Sequence, residues 1–438
     1  MTSTLQRRLE ALYGLERRRD KLGLDGTRAL LTALGEPQSR FQAVHVAGTN
    51  GKGSVCALVE RVLRAAGART GLFTSPHLVD FRERFRVAGR WPEAAALEER
   101  LAAIEALPGG ERTFFEVATA LGFDWFAAQN VEWGVIEVGL GGRLDTTNVL
   151  VPRVCAITSV GLDHGEILGD SHVQIAAEKA GILKPGVPAV SGVEHDAAAT
   201  VIARAARAVD APLHQARDLV DVRSAAYGPW GMRLGVVCEP WGTFQLQTTL
   251  RGGHQRENAR VALALLSLLA QQGVRLPLQA VRAGFAEARW PGRLEPSPVV
   301  RRLWWDGAHN LDGLRRMAHA WRDEMAMDPP AAIVFAVGHD KDARAMLQRL
   351  GAFAPGAVLV LTRTANERAL PVDALAELAR GLGLAHETAP SVREALAPWL
   401  DHGTDGRGRA AGRVLLCGSL FAVGEAMEAF GGAPGELL

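Results

Sequence analysis

The feature that most constrains this chain is a glycine-rich turn with the sequence G-T-N-G-K-G-S at residues 48–54. A short apolar run at 41–47, typical of a strand, precedes the turn, and a helical pattern at 52–66 follows it. In that context glycines let backbone N–H groups close around phosphate oxygens, and the helix N-terminus adds partial positive charge. Lys52 adds a full charge for the β- and γ-phosphates. The turn therefore predicts a nucleotide-binding α/β domain.

This turn differs from the standard phosphate-binding motif G-x-x-x-x-G-K-[ST]. Val46 and Gly53 stand where that motif requires Gly and then Ser or Thr, and Ser54 comes one residue late. The alternative is a plain glycine-rich connection between a strand and a helix. A guanine-specific switch is disfavoured, because none of the five lysines follows an asparagine as an N-K-x-D motif requires.

Apolar runs and helical patterns alternate along the chain, which favours α/β domains with parallel sheets. Residues 219–250 differ, because glycines and prolines divide them into short apolar runs typical of a small β-meander. The run W-P-G-R at 290–293 interrupts the pattern and predicts a linker. We therefore expect a P-loop-type doubly wound N-terminal domain with a small β-rich insertion at 1–289. A smaller Rossmann-like α/β domain is expected at 290–438.

Composition excludes several classes of protein. The net charge is +1, from 49 basic and 48 acidic residues, so no overall charge favours nucleic acid or an anionic membrane. The longest apolar stretch, at 261–270, is about half of a membrane span, and no apolar segment follows Arg7 and Arg8 as in a signal peptide. The cysteines form no C-x-x-C pair, which favours free thiols in a reducing compartment. We expect a cytoplasmic protein, monomeric by default, without nucleic-acid or membrane partners.

Lysine is used sparingly, since arginine supplies most of the basic residues. A lysine retained in such a chain is a candidate for chemistry that arginine cannot perform, although a solvated surface lysine is the plainer interpretation. The lysines are Lys21, Lys52, Lys179, Lys184 and Lys341.

Further motifs follow the turn in a fixed order. They are Ser75-Pro76-His77-Leu78 with Phe81, Arg82, Glu83 and Arg84; Thr113-Phe114-Phe115-Glu116; Glu137-Val138-Gly139-Leu140-Gly141-Gly142-Arg143-Leu144-Asp145; Gly161-Leu162-Asp163-His164; Glu178-Lys179-Ala180-Gly181-Ile182; Pro291-Gly292-Arg293; Asp306-Gly307-Ala308-His309-Asn310; and Gly418-Ser419-Leu420. With the turn, this set resembles the folylpolyglutamate synthases and dihydrofolate synthases, relatives of the Mur ligases. The resemblance spans roughly residues 41–424.

The resemblance implies an ATP-dependent ligase that joins glutamate to a folate-type carboxylate. ATP phosphorylates the carboxylate, and the amine of glutamate then displaces phosphate. Charge spreads over the γ-phosphoryl oxygens during the transfer, so Mg²⁺ is expected, with two ions as in the family. Bacterial relatives are often bifunctional, so both tetrahydrofolate and dihydropteroate are expected substrates.

The resemblance also assigns catalytic and metal-binding roles. Glu137 independently ends an apolar run at 133–136, where parallel sheets present ligand groups. The family's lysine at position 179 is commonly carbamylated by CO₂, which would convert the amine to a carboxylate-like anion. The expected catalytic residues are Lys52, Glu137, His164, Lys179 and Arg293. The expected metal ligands are Ser54, Ser75, Glu137, His164 and Lys179 as its carbamate.

Substrate contacts are assigned in the same way. ATP is expected to meet Thr49, Asn50, Gly51, Lys52, Gly53, Ser54, Asn258, Arg293, Asp306 and His309. Glutamate is expected to meet Asp306, His309 and Ser419, and folate to meet Arg82, Phe115, Asp145 and Thr146. Many relatives that also make dihydrofolate have Ala where Thr146 stands. This difference lies on the pterin side and counts against dihydropteroate as a substrate. Lys341 matches a family D-K-D segment and is interpreted as structural or cleft-facing.

Three alternatives remain at this stage. A monofunctional folylpolyglutamate synthase would use only folates. A Mur-type peptide ligase is disfavoured because about 47 residues precede the phosphate loop, fewer than its N-terminal sugar-nucleotide domain needs. A non-catalytic nucleotide-binding module would use the loop but not Glu137, His164 or Lys179.

Overall fold

A computed structural model describes residues 3–15, 23–108, 110–399 and 412–434. Its strands are β1 Gln42–Ala47, β2 Thr70–Phe73, β3 Phe85–Val87, β4 Trp133–Glu137, β5 Val154–Ile157, β6 Ala189–Ser191, β7 Leu213–Gln215, β8 Val220–Gly228, β9 Gly231–Cys238, β10 Gly242–Thr248, β11 Glu295–Pro296, β12 Leu303–Trp305, β13 Ala332–Phe335, β14 Val358–Leu361, β15 His386–Thr388 and β16 Val414–Cys417.

The α-helices are α1 Ser3–Gly14, α2 Asp25–Ala33, α3 Lys52–Ala65, α4 Ala94–Ala106, α5 Phe114–Ala128, α6 Gly165–Leu168, α7 His172–Ala180, α8 Asp196–Ala208, α9 Ala216–Leu219, α10 Gly253–Gln271, α11 Leu278–Glu287, α12 Leu311–His319, α13 Ala343–Phe353, α14 Val372–Gly381, α15 Val392–Leu396 and α16 Leu420–Phe430. Among the described residues, none of these helices is both long and apolar enough to cross a lipid bilayer.

The first sheet has seven strands in the order β3-β2-β4-β1-β5-β6-β7. Six strands are parallel, and only β3 runs antiparallel to its neighbour. Strand β1 lies at the centre, and its residues 43–47 are all buried, as expected for a strand covered by helices on both faces. The phosphate loop therefore starts from the middle of the sheet, beside β4 and β5.

Pro76 and Gly89 predict a loop over residues 74–90, and this prediction is wrong in detail, because those residues are not only a loop. They contain β3, which pairs with β2, and a 3₁₀ turn at Phe81–Arg84. Strand β3 is three residues long, too short to show an alternating pattern, and its stability comes from burial of Phe85 and Val87.

The predicted β-rich insertion is the antiparallel sheet β10-β9-β8. Met232, Leu234 and Val236 of β9 are buried in the same core as helices α3 and α10. The insertion is therefore packed onto the first sheet's helical layer.

The second large sheet has the order β11-β12-β16-β13-β14-β15, in which only β11 is antiparallel. These two sheets, each parallel except for one edge strand, confirm the predicted fold class. The boundary between residues 289 and 290 stays a prediction.

The two units meet where the loop after β2 packs against α16. A Cβ atom on Gly424 would lie 2.0 Å from the carbonyl oxygen of Leu78, so only glycine permits this approach. Leu78 and Val79 also pack against the apolar cluster of the second unit. The loop that carries Ser75 is therefore anchored to the second unit.

Substituting Gly424→Ala is expected to destabilise the protein by about 1–3 kcal/mol, because the new methyl group meets a backbone carbonyl. Helix propensity alone predicts the opposite sign, a gain of up to about 1 kcal/mol. Urea unfolding measures the difference. Gly356→Ala is the control, since its methyl group meets nothing within 4 Å. Equal unfolding free energies for the two variants would contradict the close contact.

Candidate active site

The site lies at the carboxyl ends of β1, β4 and β5, where three loops meet. Val46 pairs with Glu137, and Ala47 pairs with Ile157, so the loops leave the sheet at one level. This edge is where open parallel sheets bind ligands. Of the residues predicted for phosphate and metal binding, the structure brings Lys52, Ser75, Glu137 and Lys179 close to one another here.

The phosphate loop is held by the end of β5. The hydroxyl groups of Thr158 and Ser159 donate to the carbonyl oxygen of Asn50 at 2.7 and 2.9 Å. The Asn50 amide in turn donates to the Ser159 hydroxyl at 2.9 Å. The Lys52 ammonium folds back on the loop and donates to the carbonyl oxygens of Gly48 and Thr49. The loop is thus preorganised, and the sequence did not predict the roles of Thr158 and Ser159.

Asn258 and Trp290 contact the loop closely at positions where the loop has glycine and no side chain stands in the way. Gly51 has φ = 89°, and a Cβ atom there would lie 2.2 Å from Oδ1 of Asn258. A Cβ atom on Gly53 would lie 2.4 Å from the indole of Trp290. Asn258, predicted on the adenine side, therefore lies against the loop, and so does the tryptophan of the predicted linker.

Glu137 is the last residue of β4 and is only 4% exposed. Its carboxylate accepts a hydrogen bond from the Ser75 amide at 3.1 Å. Burial raises the pKa of Glu137, and the charges of Lys52, Arg293 and Arg84, with the Ser75 hydrogen bond, oppose that rise. The buried Glu137 carboxylate is therefore near three cationic side chains. It also contacts Ser75, which is another of the predicted metal ligands.

Glu137 and the phosphate loop offer oxygen donors of the kind that magnesium uses. The described ranges contain no group of three or more His, Cys, Asp or Glu side chains that could hold a metal ion. Mg²⁺ usually takes one or two protein carboxylates and completes its shell with water and substrate phosphates. Glu137 beside a phosphate loop meets that requirement.

Lys179 lies in the last turn of α7 and is only 3% exposed. Burial and the neighbouring charge of Lys52 lower the pKa of Lys179 to about 7, while Asp163 and Asp145 oppose the shift. Near neutral pH a substantial fraction of this amine is therefore uncharged. An uncharged amine is the form that reacts with CO₂.

The end of α7 is locked to the loop after β4. Arg143 pairs with Glu178 at 2.7 Å, and the Arg143 amide donates to the Glu178 carbonyl oxygen. A Cβ atom on Gly142 would lie 2.8 Å from that same oxygen. These contacts fix Lys179 relative to the loop that begins after Glu137.

His164 and Asp163 follow β5 and face the second unit. His164 has φ = 53°, and its side chain is 38% exposed. Partial desolvation, reinforced by Lys341 and His309, lowers its pKa to about 4 against the charges of Asp163 and Asp340. Asp163 contacts Lys341 and Asn310 of the second unit. The sequence assigned no role to Asp163 or Asn310, although the G-L-D-H motif placed Asp163 beside His164.

The second unit contributes the loop after β12. Asp306 is buried and accepts from the Ala308 amide at 2.7 Å. Burial raises the pKa of Asp306, and the charge of Arg293 is the main opposing influence. A Cβ atom on Gly307 would lie 2.7 Å from the Arg293 guanidinium, and the Gly418 amide donates to the Ala308 carbonyl oxygen. Arg293 therefore adjoins this loop, and its predicted contact with ATP stays a prediction.

Ser419 and His309 complete this edge. Ser419 is the N-cap of α16, and its hydroxyl accepts from the Ala422 amide. His309 Nδ1 lies 2.8 Å from the Gly307 carbonyl oxygen, and its Nε2 lies 3.5 Å from Asp163. Two of the three residues predicted for glutamate, His309 and Ser419, thus lie on adjoining turns after β12 and β16.

The residues predicted for folate have other partners within the protein. Arg82 forms a two-point pair with Asp80, at 2.9 and 3.0 Å, and stacks 4.6 Å from the centre of the Trp91 ring. Phe115 is half-buried against Gly139, where a Cβ atom would lie 2.3 Å from the ring. A folate carboxylate at Arg82 would share the guanidinium with Asp80, so this assignment stays a prediction.

Asp145 and Thr146 shape the loop after β4. The Asp145 carboxylate accepts from the amides of Leu140 and Thr147 at 2.8 and 3.0 Å, and from the Thr147 hydroxyl. The Thr146 hydroxyl pairs with that of Thr119. Both side chains therefore serve as buried scaffolding here, and their contact with a pterin ring stays a prediction.

Comparison with known families agrees with this geometry. Residues 46–266 match the Mur ligase middle domain, and residues 292–420 match the Mur ligase glutamate ligase domain. A phosphate loop with a buried carboxylate, facing a second α/β unit, defines an ATP-dependent ligase of the Mur type.

Individual relatives narrow the family further. The chain is 36% identical to the folylpolyglutamate synthase of Lacticaseibacillus casei, with 90% of each chain covered. It is 35% identical to a dihydrofolate synthase/folylpolyglutamate synthase of Bacillus subtilis, covering 75% of this chain and 79% of that one. Mycobacterium tuberculosis folylpolyglutamate synthase, solved with ADP and AMPPCP, superposes with a TM-score of 0.86 at 32% identity, covering 98% and 99% of the two chains. The chain belongs to the folylpolyglutamate synthase and dihydrofolate synthase family.

Proposed function

We propose that this enzyme uses ATP to join L-glutamate to tetrahydrofolates and to dihydropteroate through an acyl-phosphate intermediate. The single observation that carries the proposal is the convergence of Lys52, Glu137 and Lys179 at one sheet edge, opposite Asp306 and Arg293. Relatives named for folylpolyglutamate synthesis, and solved structures holding ADP or AMPPCP, support the substrates.

The first step activates the acceptor. Its carboxylate oxygen attacks the γ-phosphorus of ATP, the bond to the β-phosphate oxygen breaks, and ADP leaves. Lys52 and Arg293 are the cations that stabilise charge on the transferred phosphoryl group. Backbone N–H groups of the phosphate loop hold the nucleotide in place.

The second step forms the amide. The α-amine of glutamate attacks the acyl carbon, the bond to the phosphate oxygen breaks, and inorganic phosphate leaves as the amine loses a proton. We assign glutamate binding to Asp306, His309 and Ser419, because their loops adjoin at the second unit's sheet edge. Folate is assigned to the region of Phe115 and Arg82.

Magnesium is assigned to Glu137, His164, Ser54 and Ser75, with the carbamate of Lys179. When bound, it would supply positive charge to the phosphate oxygens. The buried, weakly basic amine of Lys179 supports the carbamate, since a neutral amine adds to the carbon of CO₂ and then loses a proton. Cytoplasmic location and a monomeric state are further parts of the proposal.

The assay that tests the function compares two acceptors under identical conditions. ADP release and ligated product are followed with glutamate, ATP and Mg²⁺, using either dihydropteroate or tetrahydrofolate. Product from both acceptors is expected, and the bifunctional name of the Bacillus subtilis relative supports this. Product from tetrahydrofolate alone would define a monofunctional enzyme. Thr146, in place of the alanine of many bifunctional relatives, would then be a candidate cause of the lost activity with dihydropteroate. Product from neither acceptor would overturn the proposal, and a UDP-linked muropeptide would then be the next acceptor tested.

A further inference from the structure

Asp163 joins the two units of the chain at one point beside the proposed site. Its carboxylate accepts from the Lys341 ammonium at 2.5 Å and from the Asn310 side-chain amide at 3.0 Å. His309 Nε2 lies 3.5 Å from the same carboxylate. All three partners belong to the second unit, whereas Asp163 follows β5 of the first.

Burial sets this pair apart from a surface salt bridge. Only 6% of the Asp163 side chain and 10% of the Lys341 side chain are exposed. Exposed ion pairs contribute little to the stability of the folded protein. Removing one partner of a buried ion pair is strongly destabilising, because the other charge is left buried and unpaired. The contact is therefore favourable only when both units close on each other. Lys341 also has a second carboxylate, Asp340 of its own loop, at 3.2 Å.

The neighbours of the pair are residues assigned to the reaction. Asp163 directly precedes His164 in the chain, and its side chain accepts from the His164 amide at 3.0 Å. Asn310 follows His309 and caps α12 through the Gly313 amide. Asn310 also contacts Asn50 of the phosphate loop at 3.3 Å. Fixing Asp163 thus fixes the loops of His164 and His309 relative to the phosphate loop.

We propose that Lys341 is a positioning residue that, through Asp163, holds the two units in the geometry required for amide formation. This role rests on the proposed ligase function. Lys341 is not assigned a contact with any substrate. It acts on the distance between the phosphate loop of the first unit and the glutamate residues of the second.

A double-mutant cycle on kcat tests the coupling. Lys341→Met and Asp163→Asn are each expected to lower kcat by about a hundredfold, the cost typical of an error of about 1 Å in positioning. Because both remove the same ion pair, the double variant is expected to be no slower than Asp163→Asn alone. Independent, multiplying losses would overturn the proposal. Arg349→Met, which removes an exposed cation from the following helix, is the matched control and keeps wild-type kcat.

Small-angle X-ray scattering supplies a readout that does not need activity. With AMPPCP and Mg²⁺, wild type and Arg349→Met are expected to be compact, and Lys341→Met to have a larger radius of gyration. Equal radii with equal kcat would overturn the role of Lys341. If Lys341→Met does not fold in urea-unfolding controls, the nearly isosteric Asp163→Asn replaces it in the same experiment. The wild-type protein could lack ligase activity and still have a smaller radius of gyration than Lys341→Met. That result would overturn the proposed ligase function but not the role of the Lys341–Asp163 contact in holding the units together.

Discussion

Replacing Lys52 with methionine is expected to lower kcat for ligation by about 10²–10³-fold, the usual cost of removing one preorganised charge donor. The Lys52 ammonium lies against the carbonyl oxygens of Gly48 and Thr49, within the loop that would enclose the phosphates. Methionine keeps the length of the side chain and removes its charge. Affinity for ADP, measured by calorimetry, is expected to fall as well.

The control for this prediction is Lys184→Met. Lys184 donates to Asn148 rather than to the phosphate loop, and it is half-buried, so the chemical change is comparable. This variant is expected to keep wild-type affinity for ADP. Unchanged kcat in Lys52→Met would mean that the loop does not hold the reacting phosphates.

The second large effect concerns Lys179. Lys179→Ala and Lys179→Arg are both expected to lose about 10²-fold or more of kcat, because neither side chain can become a carbamate. Arginine keeps the positive charge, so a loss in that variant separates the carbamate from a simple cation. Acetate is expected to restore part of the activity to Lys179→Ala, since its carboxylate can occupy the space left by the lysine side chain.

Carbon dioxide provides the complementary test on the wild-type enzyme. Activity is expected to decline in CO₂-depleted buffer and to return when bicarbonate is added. The pKa of Lys179 is lowered to about 7, so below that pH the amine is mostly protonated and cannot add to CO₂. Recovery is therefore expected to slow as pH falls below about 7. Full activity without CO₂, or in Lys179→Ala without acetate, would exclude the carbamate.

Much of the fold could be predicted because its signals are local. The apolar run at 41–47 and the helical pattern at 52–66 correspond closely to β1 and α3, and the broken runs at 219–250 correspond to β8, β9 and β10. Strand β3 was missed because three residues carry no periodic signal, and its pairing with β2 depends on burial in the assembled sheet.

Some residues of the candidate site could be predicted from local motifs, and others could not. Glu137, Lys179 and the loop residues carry motif signals, and the structure brings them to one edge. Arg82 is different, since a motif cannot reveal that Asp80 and Trp91 already occupy its guanidinium. Asp163 was passed over because an aspartate in a turn has many possible roles until its partners are known.

The sequence by itself determined the strand-turn-helix phosphate loop, the α/β class, the family and the buried carboxylate that ends β4. These follow from spacing and side-chain chemistry within short segments. Only the tertiary structure decided that Lys341, 178 residues away, meets Asp163, and that Leu78 approaches Gly424. Such contacts depend on how two separately formed sheets are placed against each other. That placement arises from the packing of many side chains, which no local pattern encodes.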